Sequence, residues 1–102
     1  MRIETNESEE ETLIAIEGDI DLYSSPELRT AVLKAVPKAT TGVGVHLGRV
    51  SYMDSSGVAT LVEGLRSAKE HGKTFALVAP STAVMKVLEL ARLDSVFEVR
   101  SA

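Results

Sequence analysis

The 102-residue chain contains no cysteine and no tryptophan, and only 4% of its residues are aromatic. The absence of cysteine excludes disulfide bonds, thiolate metal sites and a cysteine nucleophile, and it suits a reducing compartment. No apolar run approaches the roughly 20 residues that a membrane-spanning helix needs. The opening residues, "MRIETNESEE", lack the apolar core of a secretory signal. We therefore expect a cytoplasmic protein that does not insert into membranes.

A basic surface is also missing. The chain has 11 Lys and Arg residues against 15 Asp and Glu residues, a net charge of -4. Because nucleic-acid binding needs a basic patch that displaces phosphate counterions, we expect no nucleic-acid partner. The acidic run "NESEEE", residues 6–11, is typical of a solvated turn between two strands. A chain of this length is enough for one core, which predicts a single domain over residues 1–102.

The first half of the chain predicts two strands and a helix. Residues 1–6 fit a short edge strand, and "TLIAIEG" fits a second strand that ends at Gly18. A helix then begins with Ser24 or Ser25 at its N-cap and Pro26 in its first turn, and it stops at Pro37.

The second half predicts alternating strands and helices. "VGVHLGRV", continuing to Met53, has little polar character, as expected of a strand covered on both sides. Apolar residues from Ser55 onward recur at helical spacing until Gly72, and "KTFALVA", a helix after Pro80 and the strand "SVFEVR" follow. The predicted order is β-β-α-β-α-β-α-β. It indicates an α/β fold with a mixed, mostly parallel β-sheet flanked by helices.

The segment "MDSSG", residues 53–57, lies where a predicted strand ends and a helix begins. Asp54 or a serine is the usual choice for an N-cap, and capping alone explains one of these side chains. It does not explain three consecutive polar groups followed by Gly57. Ligand contacts gather at such strand ends in open α/β sheets, and a helix N-terminus tolerates an added phosphate. Ser55 is therefore a candidate for modification.

Catalysis by Ser55 is not expected, because a serine nucleophile needs a histidine base. His71 is separated from Ser55 by about four helical turns, roughly 24 Å at 1.5 Å per residue. His46 fits a half-buried strand histidine that makes a hydrogen bond. Three acids, Asp19, Asp21 and Asp54, without a histidine partner give only a weak metal signal, and no glycine-rich phosphate loop is present. The sequence predicts a protein that is not an enzyme and needs no cofactor or metal.

Three ordered segments resemble one family. "SYMDSSGVATLVEGL" resembles the signature of STAS domains, above all of bacterial anti-sigma factor antagonists. "EGDIDLYSSPELRTAVL" and "GKTFALVAPSTAVMKVLELARLDSVFEV" resemble the segments that precede and follow this signature. Together they cover almost the whole chain, so the resemblance implies a STAS fold. Two positions depart from the family pattern: His46 stands where many relatives have Asn or Asp, and Tyr52 where many have Phe.

The resemblance also implies a mechanism. Members of that branch bind a serine kinase of the GHKL type that is also an anti-sigma factor, and they thereby free the sigma factor or another partner-switch output. The kinase phosphorylates the serine directly after the aspartate of the motif, here Ser55, and the phosphorylated protein releases its partner. A PPM-type phosphatase reverses the modification. A monomer or weak dimer suffices for this exchange.

The same resemblance implies a partner-binding surface around Ser55. Its expected members are Asp54, Ser56 and Gly57 in the motif, Gly18, Asp19 and Asp21 in the preceding segment, and Val58 and Leu61 if the helix exposes them. A second possibility stays open. Small stand-alone STAS proteins also resemble an accessory subunit that binds the ATPase of a phospholipid-trafficking ABC transporter. The two serines after Asp54 favour the phosphorylation switch.

Overall fold

The computed structural model describes residues 1–101 and contains eight elements in the predicted order. They are β1 (Arg2–Glu7), β2 (Thr12–Ile20), α1 (Ser25–Lys38), β3 (Gly42–Met53), α2 (Ser55–Glu70), β4 (Thr74–Val78), α3 (Thr82–Leu90) and β5 (Glu98–Arg100). The longest helix, α2, has 16 residues. Within the described residues, no helix is both long and apolar enough to cross a membrane.

The five strands form one sheet in the order β1-β2-β3-β4-β5. The edge strand β1 pairs antiparallel with β2, and every other neighbouring pair is parallel. This arrangement confirms the predicted mixed, mostly parallel sheet. Since parallel strands end at the same edge of a sheet, the carboxyl ends of β2 and β3 lie side by side, and the segments that follow them meet there.

The helices pack against the sheet through a continuous apolar core. On β3, Val43, Val45 and Leu47 alternate into this core and are 0% exposed. The packing is close, because a Cβ atom at Gly64 of α2 would lie 2.7 Å from Phe75 of β4. The same added atom would also lie 2.7 Å from Val32 of α1.

The opposite face of β3 is not covered by a helix, and the expected cover on that side is only partial, since His46 is half-buried and Gly48 is exposed. An ion pair lies there instead: Arg100 of β5 donates to both carboxylate oxygens of Glu11, at 3.0 and 2.8 Å. This contact and a second one to Glu98 raise the pKa of Arg100 above its usual range. A Cβ atom at Gly44 would lie only 2.9 Å from Glu11 Oε1, so glycine leaves room for the ion pair.

Two predicted element ends were wrong. Strand β2 does not stop at Gly18 but continues to Ile20, because Gly18 adopts a φ of +106° at a register shift that lets pairing resume. Helix α1 does not stop at Pro37 but ends one residue later, at Lys38. In the last turn, the missing proline N–H removes one hydrogen bond without preventing helical backbone.

Candidate functional site

Asp54 joins β3 to α2 and caps the helix. Its Oδ1 accepts hydrogen bonds from the backbone N–H of Ser56 at 2.9 Å and from the Ser56 hydroxyl at 2.5 Å. These bonds favour the charged carboxylate, so they hold the pKa of Asp54 below its ordinary value of 3.8, and the Ser56 hydroxyl contributes most. The backbone N–H of Asp54 donates to Ile20 O at 3.1 Å, which ties the cap to the end of β2.

The two serines of the motif have different environments. Ser56 is half-buried; its hydroxyl is held by Asp54 and its carbonyl accepts from the Thr60 hydroxyl at 2.9 Å. Ser55 is the first residue of α2 and is exposed, and within residues 1–101 its hydroxyl makes no hydrogen bond. Of this pair, only Ser55 offers a hydroxyl that another protein could reach without breaking the cap.

Gly57 serves packing, not an open surface. It is buried, and a Cβ atom there would lie 2.5 Å from Met53 Cγ and 2.9 Å from Ile20 Cγ2. The glycine therefore lets the first turn of α2 rest directly on the ends of β2 and β3. A direct partner contact by Gly57, expected from the sequence, is not available in this arrangement.

Val58 and Leu61 were also expected on the partner face, and the structure places both in the core. Leu61 is 0% exposed and Val58 is 8% exposed. Helical spacing identifies the apolar face of α2 but not what that face contacts. Here the face packs on the sheet, so the expectation for Leu61 was wrong. Val58 is almost fully buried as well, but its edge lines an apolar groove between α2 and α3.

The loop between β2 and α1 contains the other predicted acids. Oδ1 of Asp21 accepts from the N–H groups of Tyr23 and Ser24, both at 3.0 Å. The Ser24 hydroxyl donates to the carbonyl of Asp19 at 3.0 Å and accepts from the N–H of Asp21 at 2.9 Å. Ser24 occupies the N-cap position of α1, but its hydroxyl makes no capping bond to the helix. Asp21 and Ser24 thus shape the loop, while Asp19 stays exposed.

Strand pairing brings this loop to the motif. Asp19 is the register partner of Tyr52, and Ile20 that of Met53. The backbone of Leu22 is close enough to contribute to the lowered pKa of Asp54. Gly18 lies at the same end of β2 and is partly exposed. Within residues 1–101, no three acidic or histidine side chains come together as a metal ion would require.

Exposed apolar side chains around this corner were not predicted as site residues. Tyr23 is 91% exposed, Leu22 68% and Tyr52 52%. Large apolar groups in contact with water are typical of surfaces that bind another protein. The available signal was the pair Leu22–Tyr23, which interrupts a polar loop and fits no strand or helix period.

The histidines take no part in the corner. The Nδ1 atom of His46 accepts from the backbone N–H of Gly48 at 3.3 Å, as expected of a half-buried strand histidine. The Nδ1 atom of His71 lies 2.8 Å from the carbonyl of Ser67, at the far end of α2. Among the described residues, neither histidine is bonded to Ser55. The corner therefore contains no serine–histidine pair.

Curated proteins named anti-sigma-B factor antagonists are similar to this chain over almost its whole length. An anti-sigma-B factor antagonist of Bacillus subtilis (strain 168) is 29% identical over 101 residues, which span 97% of this chain and 90% of the relative. An anti-sigma-B factor antagonist of Staphylococcus epidermidis is 26% identical over 99 residues, which span 97% of this chain and 92% of the relative. These names describe antagonists of another protein factor, in agreement with the expectation of a binding protein that is not an enzyme.

Solved structures share the fold. The unphosphorylated anti-sigma factor antagonist SpoIIAA aligns with a TM-score of 0.83 at 24% identity, covering 99% of this chain and 88% of that one. The phosphorylated form of the Bacillus protein SpoIIAA aligns with a TM-score of 0.78 at 23% identity, and the alignment covers 99% of this chain and 91% of that one. An anti-sigma-factor antagonist (STAS) domain protein from Planctomyces limnophilus aligns with a TM-score of 0.84 at 23% identity, and the alignment covers 98% of this chain and 90% of that one.

A match to a protein-family model identifies the family of this chain, in agreement with the fold and with the similar proteins. The model described as "Mlab, STAS domain" matches residues 3–99, almost the whole chain. Its match confirms the resemblance carried by the three sequence segments around Ser55. The chain belongs to the STAS domain family.

Proposed function

We propose that the chain is an anti-sigma factor antagonist switched by phosphorylation of Ser55. Unphosphorylated, it binds a GHKL-type serine kinase that is also an anti-sigma factor, and so frees the sigma factor or another partner-switch output. The observation that carries the proposal is the exposed, unbonded Ser55 hydroxyl directly after Asp54, while the neighbouring Ser56 hydroxyl is held in the cap. The antagonist names of the curated relatives support the same class.

The binding surface that we propose is the corner around Ser55. Asp54 fixes the start of α2, Gly18, Asp19 and Asp21 lie at the end of β2, and Leu22, Tyr23 and Tyr52 add exposed apolar area. Ser56 and Gly57 act indirectly, since Ser56 strengthens the cap and Gly57 lets the helix approach the sheet. A partner would contact the exposed members and leave the cap intact.

Phosphorylation would transfer the γ-phosphoryl group of ATP to Ser55 Oγ, with ADP and the hydroxyl proton as the other products. The phosphate adds about -1.5 to -2 charges. At a helix N-terminus this charge is tolerated by the folded chain. A partner that buries this phosphate would remove its water and hold it beside the acids Asp54 and Asp21, whose like charge repels it. A hundredfold loss of affinity requires only about 2.7 kcal/mol.

Reversal by a PPM-type phosphatase fits the same geometry. Ser55 is exposed at the start of α2, so a phosphoester there stays open to hydrolysis. Neither the kinase reaction nor its reversal requires α2 to unfold, because the cap uses Asp54 and Ser56. The proposed exchange takes place in the cytoplasm and needs only one copy of the chain.

The experiment that tests the proposal maps the phosphate. The chain, Ser55→Ala and Ser56→Ala are each incubated with ATP and the purified GHKL kinase of the same organism, followed by intact-mass measurement and peptide mapping. We expect one phosphate on Ser55 in the unsubstituted chain and in Ser56→Ala, and none in Ser55→Ala. Phosphate on Ser56 or Thr82 in place of Ser55, or no phosphate at all, would overturn the proposal.

A second candidate is the accessory subunit of an ABC transporter that the sequence also resembles. The matched family model is described by the name Mlab, so membership of the STAS family does not itself decide between the two. The two candidates differ in their dependence on Ser55. A transporter ATPase that binds the chain equally well with Ser55 intact, replaced by alanine or replaced by glutamate would favour the second candidate.

A further inference from the structure

Strand β1 forms one edge of the sheet, and no other strand of residues 1–101 lies along its outer side. All six of its residues pair with β2 in an unbroken antiparallel register. The strand contains no proline, no lysine and no bulge, features that commonly prevent an edge from pairing with another chain. The other edge strand, β5, has only three residues and is protected by its shortness. The edge of the sheet that can accept a further strand is therefore β1.

The side chains of β1 alternate between the two faces of the sheet. Ile3 and Thr5 line a groove of about 640 Å³ between this edge and α1, and Ala31 contributes to the opposite wall. Ile3 is half-buried and is the only large apolar side chain of the strand. Arg2 and Glu4 line a smaller pocket on the other face. An added strand would therefore find room for its side chains beside α1 and would meet charged side chains on the opposite face.

The sequence of β1 is complementary to itself in one register. Residues directly opposite each other in an antiparallel pair lie on the same face, so two copies related by a twofold axis pair around a single residue. Around Ile3, the two Ile3 side chains meet, and Arg2 of each copy lies opposite Glu4 of the other. Around Glu4, two carboxylates would meet instead. Around Thr5, Ile3 would lie opposite Glu7. Of these registers, only the one around Ile3 pairs opposite charges and apolar groups, and both kinds of pair stabilise neighbouring strands.

We infer that a second copy of the chain pairs antiparallel with β1 around Ile3 and joins the two five-stranded sheets into one. The inference does not depend on the proposed function. Nη2 of Arg2 already lies 3.0 Å from Glu4 Oε1 in the same strand, so the four charged side chains would alternate in sign around the axis. The acidic turns, residues 8–11, would point away from each other at opposite ends of the pair, so their like charges would not meet.

The size of the contact sets its strength. Each copy contributes one short strand, which places the contact among the small interfaces, below about 1,200 Å², that are weak and transient. We therefore expect a dimer that forms at high protein concentration and dissociates on dilution.

The first test exchanges the charges and measures association by sedimentation equilibrium over a range of concentrations. Arg2→Glu places carboxylates opposite each other twice, and Glu4→Arg places guanidinium groups there. We expect each variant alone to associate at least tenfold more weakly than the unsubstituted chain. An equimolar mixture of the two variants restores opposite charges and should associate as the unsubstituted chain does. Glu9→Arg makes the same change in the turn, outside the contact, and should alter association less than twofold. Thermal melts confirm that all three variants fold.

A second test locates the axis. The chain has no cysteine, so Ile3→Cys and Thr5→Cys each introduce a single thiol. In the register around Ile3, the two thiols of Ile3→Cys face each other within reach of a disulfide bond. Those of Thr5→Cys are four residues apart along the strands, about 14 Å. Oxidation with diamide should therefore link Ile3→Cys into a dimer at least tenfold faster than Thr5→Cys, as seen on non-reducing gels.

Three results would overturn the inference. A chain that stays monomeric at millimolar concentration would leave the β1 edge to a strand of another protein. Undiminished association of Arg2→Glu and Glu4→Arg would place the contact elsewhere. Equal or faster linking of Thr5→Cys would exclude the register around Ile3. None of these results bears on the proposed function, because neither Ser55 nor the kinase takes part in the measurements.

Discussion

Helices α2 and α3 begin in the same way but lie in different surroundings. Each follows a parallel strand, each is capped by a side chain, Asp54 or Ser81, and each has an exposed hydroxyl residue in its first position, Ser55 or Thr82. The Ser81 cap accepts from the N–H of Val84 at 3.3 Å and donates to the carbonyl of Val50 at 2.7 Å. An exposed hydroxyl at the start of a helix is therefore not sufficient to mark a site.

The difference lies in what adjoins each hydroxyl. Ser55 borders the apolar groove between α2 and α3, whereas Thr82 is not among the residues that line it. Asp54, the residue before Ser55, is bonded to the end of β2, where Leu22 and Tyr23 are exposed. The two helix starts share a capped geometry and differ in the apolar surface beside them. This difference is why we propose a partner contact at the start of α2 and not at the start of α3.

The largest expected effect is on binding. Ser55→Glu places a negative charge at the proposed contact and should weaken kinase binding by about a hundredfold, equivalent to about 2.7 kcal/mol. Thr82→Glu is the matched control, because it adds the same charge at the first residue of α3, and it should bind as the unsubstituted chain does. Isothermal titration with the purified kinase measures both. Equal losses in the two variants would show that the charge acts through the whole chain and not through the corner.

The next effect is on stability and concerns the third residue of each helix. In α2 this residue is Gly57, pressed against Met53, and in α3 it is Val84, which is 0% exposed. Gly57→Ala should destabilise the fold by about 1–3 kcal/mol, because the added methyl group forces Met53 and Ile20 to move. Val84→Ala should destabilise it by a similar amount for the opposite reason, a cavity left in the core. Urea unfolding gives both free energies, and a stabilised Gly57→Ala would refute the close contact.

A smaller effect separates a capping serine from an exposed one. Ser81→Ala removes a hydroxyl that makes two hydrogen bonds and should lower the free energy of unfolding by about 1–2 kcal/mol. Ser55→Ala removes a hydroxyl without such bonds and should stay within about 0.5 kcal/mol of the unsubstituted chain. Thermal or urea unfolding of the two variants provides the comparison. A larger loss for Ser55→Ala than for Ser81→Ala would mean that Ser55 supports the fold.

The smallest effect is a pH dependence that only the α2 cap should show. Because the pKa of Asp54 is lowered by folding, its charged form stabilises the fold above pH 3.8, and this contribution is lost as the pH falls through the folded pKa. Asp54→Asn keeps a good cap but removes the titration, so its stability should fall less between pH 5 and pH 2. The neutral cap Ser81 provides the control, since Ser81→Ala should leave the slope unchanged. Parallel slopes for Asp54→Asn and the unsubstituted chain would contradict the assigned hydrogen bonds.

The order of strands and helices could be predicted because the spacing of apolar residues along each segment was clear. Val43, Val45 and Leu47 alternate as in a strand, and the helical period begins directly after Asp54. The end of β2 could not be placed in the same way. Gly18 has the appearance of a strand terminator, but the strand continues because Asp19 and Ile20 pair with residues of β3 that are more than 30 positions away. Such long-range pairing leaves no local signature.

Only part of the candidate site could be predicted, because the exposure of a side chain also depends on contacts between distant parts of the chain. The motif itself pointed to Ser55, and the structure leaves that residue exposed. Leu61 and Leu90 are both leucines in amphipathic helices, yet Leu61 is 0% exposed and Leu90 is 78% exposed. Their difference depends on how the helices pack against the sheet, which a one-dimensional pattern does not contain. Tyr23 was missed for the same reason, because exposure in a loop follows from the fold and not from a period.

The most direct test of the switch measures one preparation of the chain in two states. The affinity of the purified kinase is determined before and after stoichiometric phosphorylation of Ser55, and again after a PPM-type phosphatase has removed the phosphate. The proposed switch predicts a loss of about a hundredfold in affinity on phosphorylation and full recovery on dephosphorylation. Equal affinity in the two states would contradict it, and Ser55 would then be only the exposed first residue of a helix.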